Sequence, residues 1–244
     1  MVAKPRKFVA LVPARSGSRR VPNKNLLLLD GKTLIQRSID ASREVSQIES
    51  TYIVTDSVDY ELEAISHGAK SLGLRPAEIS GSSSLDIEWI RWATDLIAKI
   101  DPDATHYVVL RPTSPFRSAS LIEKAIAFYE SSIPSAKTVL RSVQPVKEHP
   151  GKMWVEDDLS YMKSLLGKSL RDMPWSDHQT QSLPQVWVQN ACIDIGSFEG
   201  IKKGMPTSGE KTLMFECLGI ETLDINVPED VELAELYIAK GIVK

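Results

Sequence analysis

The chain has 244 residues, enough for one large α/β domain with a substantial core. Lys and Arg number 29 against 32 Asp and Glu; the formal net charge of −3 offers no general attraction to nucleic acid or to anionic membranes, so any anion binding must be local. The two cysteines, Cys192 and Cys217, lie far apart and outside any CxxC or Cys/His spacing, which argues against a disulfide framework or a structural zinc site.

Residues 7–12, KFVALV, form a continuous apolar run closed by Pro13 and read as a buried parallel strand. The run is too short to span a membrane and no small-residue cleavage site follows it, so the expectation is a cytoplasmic protein. The segment TLIQRSIDASREV (33–45) repeats apolar residues at helical spacing, with Leu34, Ile35 and Ile39 along one side. TYIVTD (51–56) predicts a second strand, and a helix follows through DYELEAISHG until Gly68 stops it. A long amphipathic helix covers 84–100, and HYVVLRP (106–112) is the next buried strand, halted by Pro112. In SASLIEKAIAFYE, Ser120 and Glu123 have the spacing of a capping box.

Strand and helix thus alternate to about residue 132, the pattern of a mostly parallel sheet covered on both faces. Two further strands, 136–143 and 186–195, flank an irregular stretch at 145–185 that reads as an arm, a lid or a dimer-forming insertion within a single domain over 1–244. The chain closes with a predicted strand IETLDI (220–225) and a helix with Pro228 near its first turn and Gly241 after its last.

Against this background residues 11–25, LVPARSGSRRVPNKN, stand out with four cations and no acid. In open α/β sheets ligands sit beyond the carboxyl ends of the strands, which is where Arg15, Ser16, Gly17, Ser18, Arg19, Arg20 and Lys24 fall. Gly and Ser let the backbone curl and offer unblocked N–H groups, while Arg and Lys supply charge; such a loop suits a polyphosphate. It contains neither GxxxxGK[ST] nor GxGxxG.

This loop resembles the signature of the CMP-sugar synthetases, the cytidylyltransferases acting on sialic acid and related 2-keto sugar acids. RPAEIS (75–80), LRPTSPFR (110–117), HPGKMW (149–154), SLPQVWVQNACIDI (182–195) and LDINVPEDVELAE (223–235) resemble further blocks of that family in the same order. The resemblance implies a three-layer αβα nucleotidyltransferase (Rossmann-like) fold and a reaction in which a sugar hydroxyl attacks the α-phosphorus of CTP and pyrophosphate leaves. It puts Ala14, Arg15, Ser16, Gly17, Ser18, Lys24 and Asn25 around the nucleotide, with Arg15, Lys24 and Asp224 as the catalytic groups. It implies Mg²⁺ held by Asp224, with Asn226 standing where relatives often have a second Asp, and a homodimer in which the 145–185 stretch completes a neighbour's pocket.

Arg111, Thr113, Ser114, Arg117, Gln189 and Asn190 fall on the family's sugar-binding blocks. Arg111 replaces a Gln common in relatives, while Thr180 occupies the place of a family Arg; the expectation is that Arg111 supplies the missing carboxylate contact. Asp86 reads equally as a helix cap or a pocket residue, and His149 as a contact for substrate or a partner subunit. Two other readings compete. One is a guanylyltransferase for an amino-sugar 1-phosphate, served by Arg111, Arg117 and Arg171; the other is a non-catalytic nucleotide-binding relative in which Asn226 and Thr180 mark decay of the site.

Overall fold

The structure, a computed structural model, describes residues 6–132, 134–156, 161–167, 169–170 and 172–243. It separates into two compact units, one comprising residues 1–142 and 190–244, the other 143–189.

The first unit is built on a seven-stranded sheet. Its elements in chain order are β1 (Phe8–Ala14), α1 (Leu34–Arg43), β2 (Ile48–Thr55), α2 (Val58–Ser66), β3 (Lys70–Ser71), α3 (Asp86–Ile100), β4 (His106–Val109), α4 (Ala119–Ser131), β5 (Thr138–Pro145), β6 (Trp187–Ser197), α5 (Phe198–Lys202), β7 (Lys211–Glu216) and α6 (Pro228–Ala239). The strand order is β7-β5-β6-β4-β1-β2-β3. β1 pairs in parallel with both β2 and β4, β2 pairs in parallel with β3, and β6 runs antiparallel to β4.

The unbroken apolar run of β1 follows from its place at the centre of the sheet, where alternate side chains enter opposite layers. Phe8 and Ala10 pack with Leu121, Ile122, Ala125 and Ile126 of α4, whereas Val9 and Leu11 pack with Trp89, Ile90, Ala93 and Ile97 of α3. Val12 and Ala14 continue the first face against Ile35 and Ile39 of α1 and Tyr60 and Ala64 of α2. The result is a three-layer α/β/α sandwich in which both faces of β1 are dry; fully burying a side chain the size of Leu11 is worth about 1.5–3 kcal/mol. Cys192 and Cys217 are free and sealed into this core, and the Cys192 thiol donates to the Glu221 carbonyl at 3.5 Å.

Two sequence expectations are corrected. Residues 220–225 form no strand: Gly219, at φ +66°, opens a 3-10 turn over Gly219–Thr222. The last strand is instead β7, whose residues are exposed or half-buried, so the edge position leaves no apolar run to read. The cap of α4 is Ser118, not Ser120; its hydroxyl oxygen accepts from the Leu121 N–H at 3.1 Å. Ser118 also donates to Glu221 Oε1 at 2.5 Å.

The second unit consists of short ribbons and 3-10 turns. Trp154–Glu156 pairs with Met162–Ser164, and Ser169–Leu170 with Met173–Pro174. The Lys152 ammonium donates to the carbonyls of Ser176 and His178. His149, expected to touch substrate or a partner, has its ring engaged internally. Its Nδ1 accepts from the Gly151 N–H, Nε2 lies 3.0 Å from the Pro184 carbonyl, and the ring stacks on Trp175.

Removing the observed cap tests its position. Ser118→Ala should cost about 1–2 kcal/mol in urea unfolding, while Ser120→Ala, on the exposed face, should stay within about 0.5 kcal/mol of wild type.

Candidate functional site

Because β1, β2 and β4 run in parallel, the loops after Ala14, Thr55 and Val109 all emerge at one edge. The loop after β1 is pinned near each end. The Ser16 N–H and hydroxyl donate to the two oxygens of Asp56 at 2.6 and 2.9 Å, and buried Asn25 donates through Nδ2 to the Arg15 carbonyl at 3.2 Å. Between the pins Gly17 (φ +74°) and Asn23 (φ +49°) take left-handed conformations, which suit Gly and are tolerated by Asn. Lys24 begins a 3-10 turn and its ammonium donates to the Ile225 carbonyl at 2.7 Å. The Ile225 N–H in turn donates to the Thr113 carbonyl at 2.8 Å. These bonds draw the basic loop, the loop after β4 and the segment before α6 together.

Two clefts open here and share Arg15, Ser18 and Lys24. The first, about 270 Å³, is also lined by Arg19, Arg20, Ser82 and Asn226, and has four cations and no acid. The second, about 200 Å³, extends to Asn25, Arg75, Asp86, Trp89, Arg111 and Thr113. Burial pulls the Lys24 ammonium below its ordinary value; Asp224 and Asp230 oppose that shift, while Arg20 and Arg15 add to it. Burial likewise lowers Arg75, which is 5% exposed and donates through Nε to Ser80 at 3.0 Å. Such groups gain from an incoming anion more than exposed cations do.

Asp224 lies beside Lys24 in the segment before α6. Its Oδ2 accepts from Asn226 Nδ2 at 2.6 Å, while its buried Oδ1 has no hydrogen-bond partner among the described residues. The Asn226 and Val227 N–H groups are taken by Asp230 at the head of α6. An orphaned carboxylate oxygen next to an amide is a donor set that suits a hard cation whose other ligands are water and phosphate. Among the described residues no group of three or more His, Cys, Asp or Glu could hold a metal ion without such help.

The expected sugar contacts fare differently. Thr113 lines the second cleft, but Ser114 is buried. Arg117 is also buried: its guanidinium donates to the carbonyls of Arg111 and Cys192 and to Ser38 Oγ, so it braces the loop rather than facing a ligand. Arg111 spends its fork on protein carboxylates. Nη2 reaches Asp86 Oδ2 at 2.5 Å, Nη1 reaches Asp194 Oδ2 at 2.7 Å, and Asp194 also meets Arg141 at 3.1 Å. Burial works against its charge, but Asp194 and Asp86 outweigh burial and keep Arg111 charged. A free carboxylate clamp at Arg111 is therefore corrected to a half-buried ion-pair bridge.

Asn190, buried on β6, accepts through Oδ1 from the Cys192 N–H at 3.3 Å, while Gln189 is exposed in the second unit's part of that strand. Ala191 between Asn190 and Cys192 has φ +57°, a left-handed conformation that costs an L-residue roughly 1–2 kcal/mol. Arg171 lies outside the described residues. Asp56, Arg75 and Asp194 were missed by role in the sequence, although Arg75 and Asp194 fall in blocks singled out by resemblance and only Asp56 lies outside them. A larger cavity of about 810 Å³ lies at the other end of β4, near His106, where Arg6 is offset by Glu130 and Glu199 and no cationic loop converges.

A three-layer α/β sheet with a cationic loop at its carboxyl edge is the architecture of the nucleotidyltransferase fold. The cytidylyltransferase family matches residues 9–179, and the chain belongs to that family. It is 36% identical over 125 residues to the N-acylneuraminate cytidylyltransferase of Escherichia coli O18:K1:H7, covering 51% of this chain and 29% of that one. It is 28% identical over 234 residues to the CMP-N,N'-diacetyllegionaminic acid synthase of Legionella pneumophila, covering 94% and 95%. The chain spans about half or less of the length of the acylneuraminate enzymes first matched. In fold it is similar to a CMP:2-keto-3-deoxy-manno-octonic acid synthetase complexed with CTP, at TM-score 0.66 and 16% identity over 96% of this chain and 99% of that one.

The ion-pair bridge makes a stability prediction. Arg111→Gln takes one partner from each of Asp86 and Asp194, which keep Trp89 and Arg141, and should cost about 1.5–3 kcal/mol at pH 7. Burial raises the Asp86 carboxyl, but Arg111 and the Trp89 N–H outweigh it and hold the group below its ordinary value. A depressed carboxyl contributes stability above its unfolded value and loses it as pH falls through the folded one. The gap between wild type and Arg111→Gln should therefore narrow below about pH 4; urea unfolding at pH 7 and 3.5 measures it.

Proposed function

We propose that the chain transfers CMP from CTP to the anomeric hydroxyl of a 2-keto sugar acid of the nonulosonic type and releases pyrophosphate. The observation that carries this reading is the acid-free cleft of four cations, held by the Ser16–Asp56 and Lys24–Ile225 bonds at the edge where ligands of such sheets bind. The names of the relatives supply the nucleotide and the class of acceptor.

In the reaction the acceptor oxygen forms a bond to the α-phosphorus, the bond from that phosphorus to the bridging oxygen breaks, and pyrophosphate carries away the electron pair. Arg15 and Lys24, common to both clefts, are placed to neutralise charge on the phosphate chain throughout, and the loop N–H groups around Gly17 add fixed dipoles. Pinning by Asp56 and Asn25 keeps these groups in place before the substrate arrives, so little reorganisation is needed. Mg²⁺, held by Asp224 with Asn226 beside it, supplies charge neutralisation at the phosphates when bound.

The guanylyltransferase reading relied on Arg111, Arg117 and Arg171 to bind a sugar phosphate; Arg111 and Arg117 are consumed within the protein, and Arg171 lies outside the described residues. We place the enzyme in the cytoplasm and read it as a homodimer. Support for the dimer comes from the apolar exposure of the second unit, where Trp154, Val155, Tyr161 and Met162 are open to solvent. No described helix is long and apolar enough to cross a membrane.

Pyrophosphate release with Mg²⁺ tests the reading, with the four NTPs crossed against N-acetylneuraminate, legionaminate, pseudaminate, Kdo and glucosamine 1-phosphate. Turnover with CTP and one keto acid is expected; turnover only with GTP and the sugar phosphate, or CTP binding without turnover across the grid, would sink it. Lys24→Ala should lower kcat/KM for CTP by about 10²–10³, as removal of one positioned charge stabiliser does. Asp224→Asn should raise the Mg²⁺ concentration for half-maximal rate at least about tenfold.

A further inference from the structure

The second cleft contains one group that a polyphosphate site does not call for. Arg15, Lys24, Arg75 and Arg111 line it, and so does one carboxylate, Asp86. Asp86 is the first residue of α3 and is held by two bonds: Oδ1 accepts from Trp89 Nε1 at 2.8 Å and Oδ2 from Arg111 Nη2 at 2.5 Å. Trp89 is itself buried among the α3 core, and Arg111 is fixed at its other end by Asp194, so the carboxylate is rigidly mounted. Each oxygen has one partner and keeps acceptor capacity for a second.

The cleft's position limits what meets this carboxylate. It shares Arg15, Ser18 and Lys24 with the acid-free cleft, so a phosphate chain lying along those residues delivers the nucleoside end of the same molecule into the second cleft. An anionic acceptor would be repelled by Asp86. A nucleobase that presents an N–H₂ group would be welcomed, because an ionised carboxylate only accepts hydrogen bonds.

Cytosine has that pattern, an amine donor beside the ring-nitrogen and carbonyl acceptors. Uracil has a carbonyl oxygen in place of the amine, which would set acceptor against acceptor. Arg75, which only donates, lines the same cleft and suits the acceptor side of the ring.

We infer that Asp86 is a specificity-determining residue for the base, its carboxylate accepting a hydrogen bond from the exocyclic amine of cytosine and rejecting uracil. The inference rests on CTP being the nucleotide. A carboxylate that reads a cytosine amine is worth roughly 5- to 150-fold of discrimination.

The test measures CTP and UTP side by side, by calorimetric binding and by kcat/KM with the acceptor found active. Asp86→Asn retains one oxygen to accept from Trp89, gives up the bond from Arg111, and places an N–H₂ where Oδ2 stood, a donor that suits a carbonyl and not an amine. It should cut the CTP-over-UTP preference at least about tenfold, with CTP losing affinity and UTP gaining it or staying level. Asp194→Ala removes the other anchor of Arg111 and should weaken both nucleotides alike. Asp86→Glu, which keeps the charge but moves it by one methylene, should weaken CTP at least about threefold without strengthening UTP, and serves if the Asn variant fails to fold.

An unchanged preference in the Asp86 variants, or an equal shift of preference in Asp194→Ala, would overturn the inference while leaving the cytidylyltransferase reading intact. Wild-type protein that binds neither CTP nor UTP would overturn both.

Discussion

The site depends on one buried residue that carries no chemistry of its own. Ile225 packs with Leu29, Leu34 and Phe116 in an apolar cluster, and that packing fixes its main chain. Its carbonyl receives the Lys24 ammonium and its N–H meets the Thr113 carbonyl, so one peptide segment joins three loops that are far apart in sequence. Asp224 and Asn226 flank it, and the same anchor brings Asn226 to the lining of the cationic cleft and Asp224 within range of the Lys24 charge. Hydrophobic burial thus sets the position of the charged groups. Without it the basic loop would remain pinned to Asp56 but would lose the acidic segment that balances Lys24.

Charge is sorted along the carboxyl edge. One cleft contains only cations, the adjoining one mixes them with a single anchored carboxylate, and behind that carboxylate Arg111, Asp194 and Arg141 form an internally paired network. The three arginines near the loop after β4 therefore have different work. Arg111 and Arg117 hold protein to protein, and Arg141 closes the network while also donating to the Thr207 carbonyl at 2.8 Å. An Arg count taken from the sequence overstates the positive charge available to a ligand at this edge.

Much of the architecture was legible because local signals suffice for it. The apolar run of β1, the helical spacing of α1 and α3, and the left-handed stop at Gly68 each involve neighbours a few residues apart. The basic loop was legible for the same reason, its position following directly from the end of β1. What failed was non-local. Arg111 looked free because its partners lie 25 and 83 positions away on α3 and β6, and no pattern in the sequence pairs them. Residues 220–225 have a strand-like composition, but Gly219 turns the chain, and Ile225 is buried by Ala234 of α6 and by Leu29, Leu34 and Phe116 rather than by a sheet. At α4 two serines compete for the cap, and only backbone geometry chooses Ser118.

The two cysteines have a practical consequence. Both thiols are closed off from solvent, and the chain contains no other. The Cys217 thiol is pushed up by its hydrogen bond to Cys192 and by burial, which suppresses its reactive thiolate further. A thiol reagent therefore modifies the native protein no faster than the core around β6 opens. The molecule carries a built-in clock for its own unfolding, readable without any engineered label.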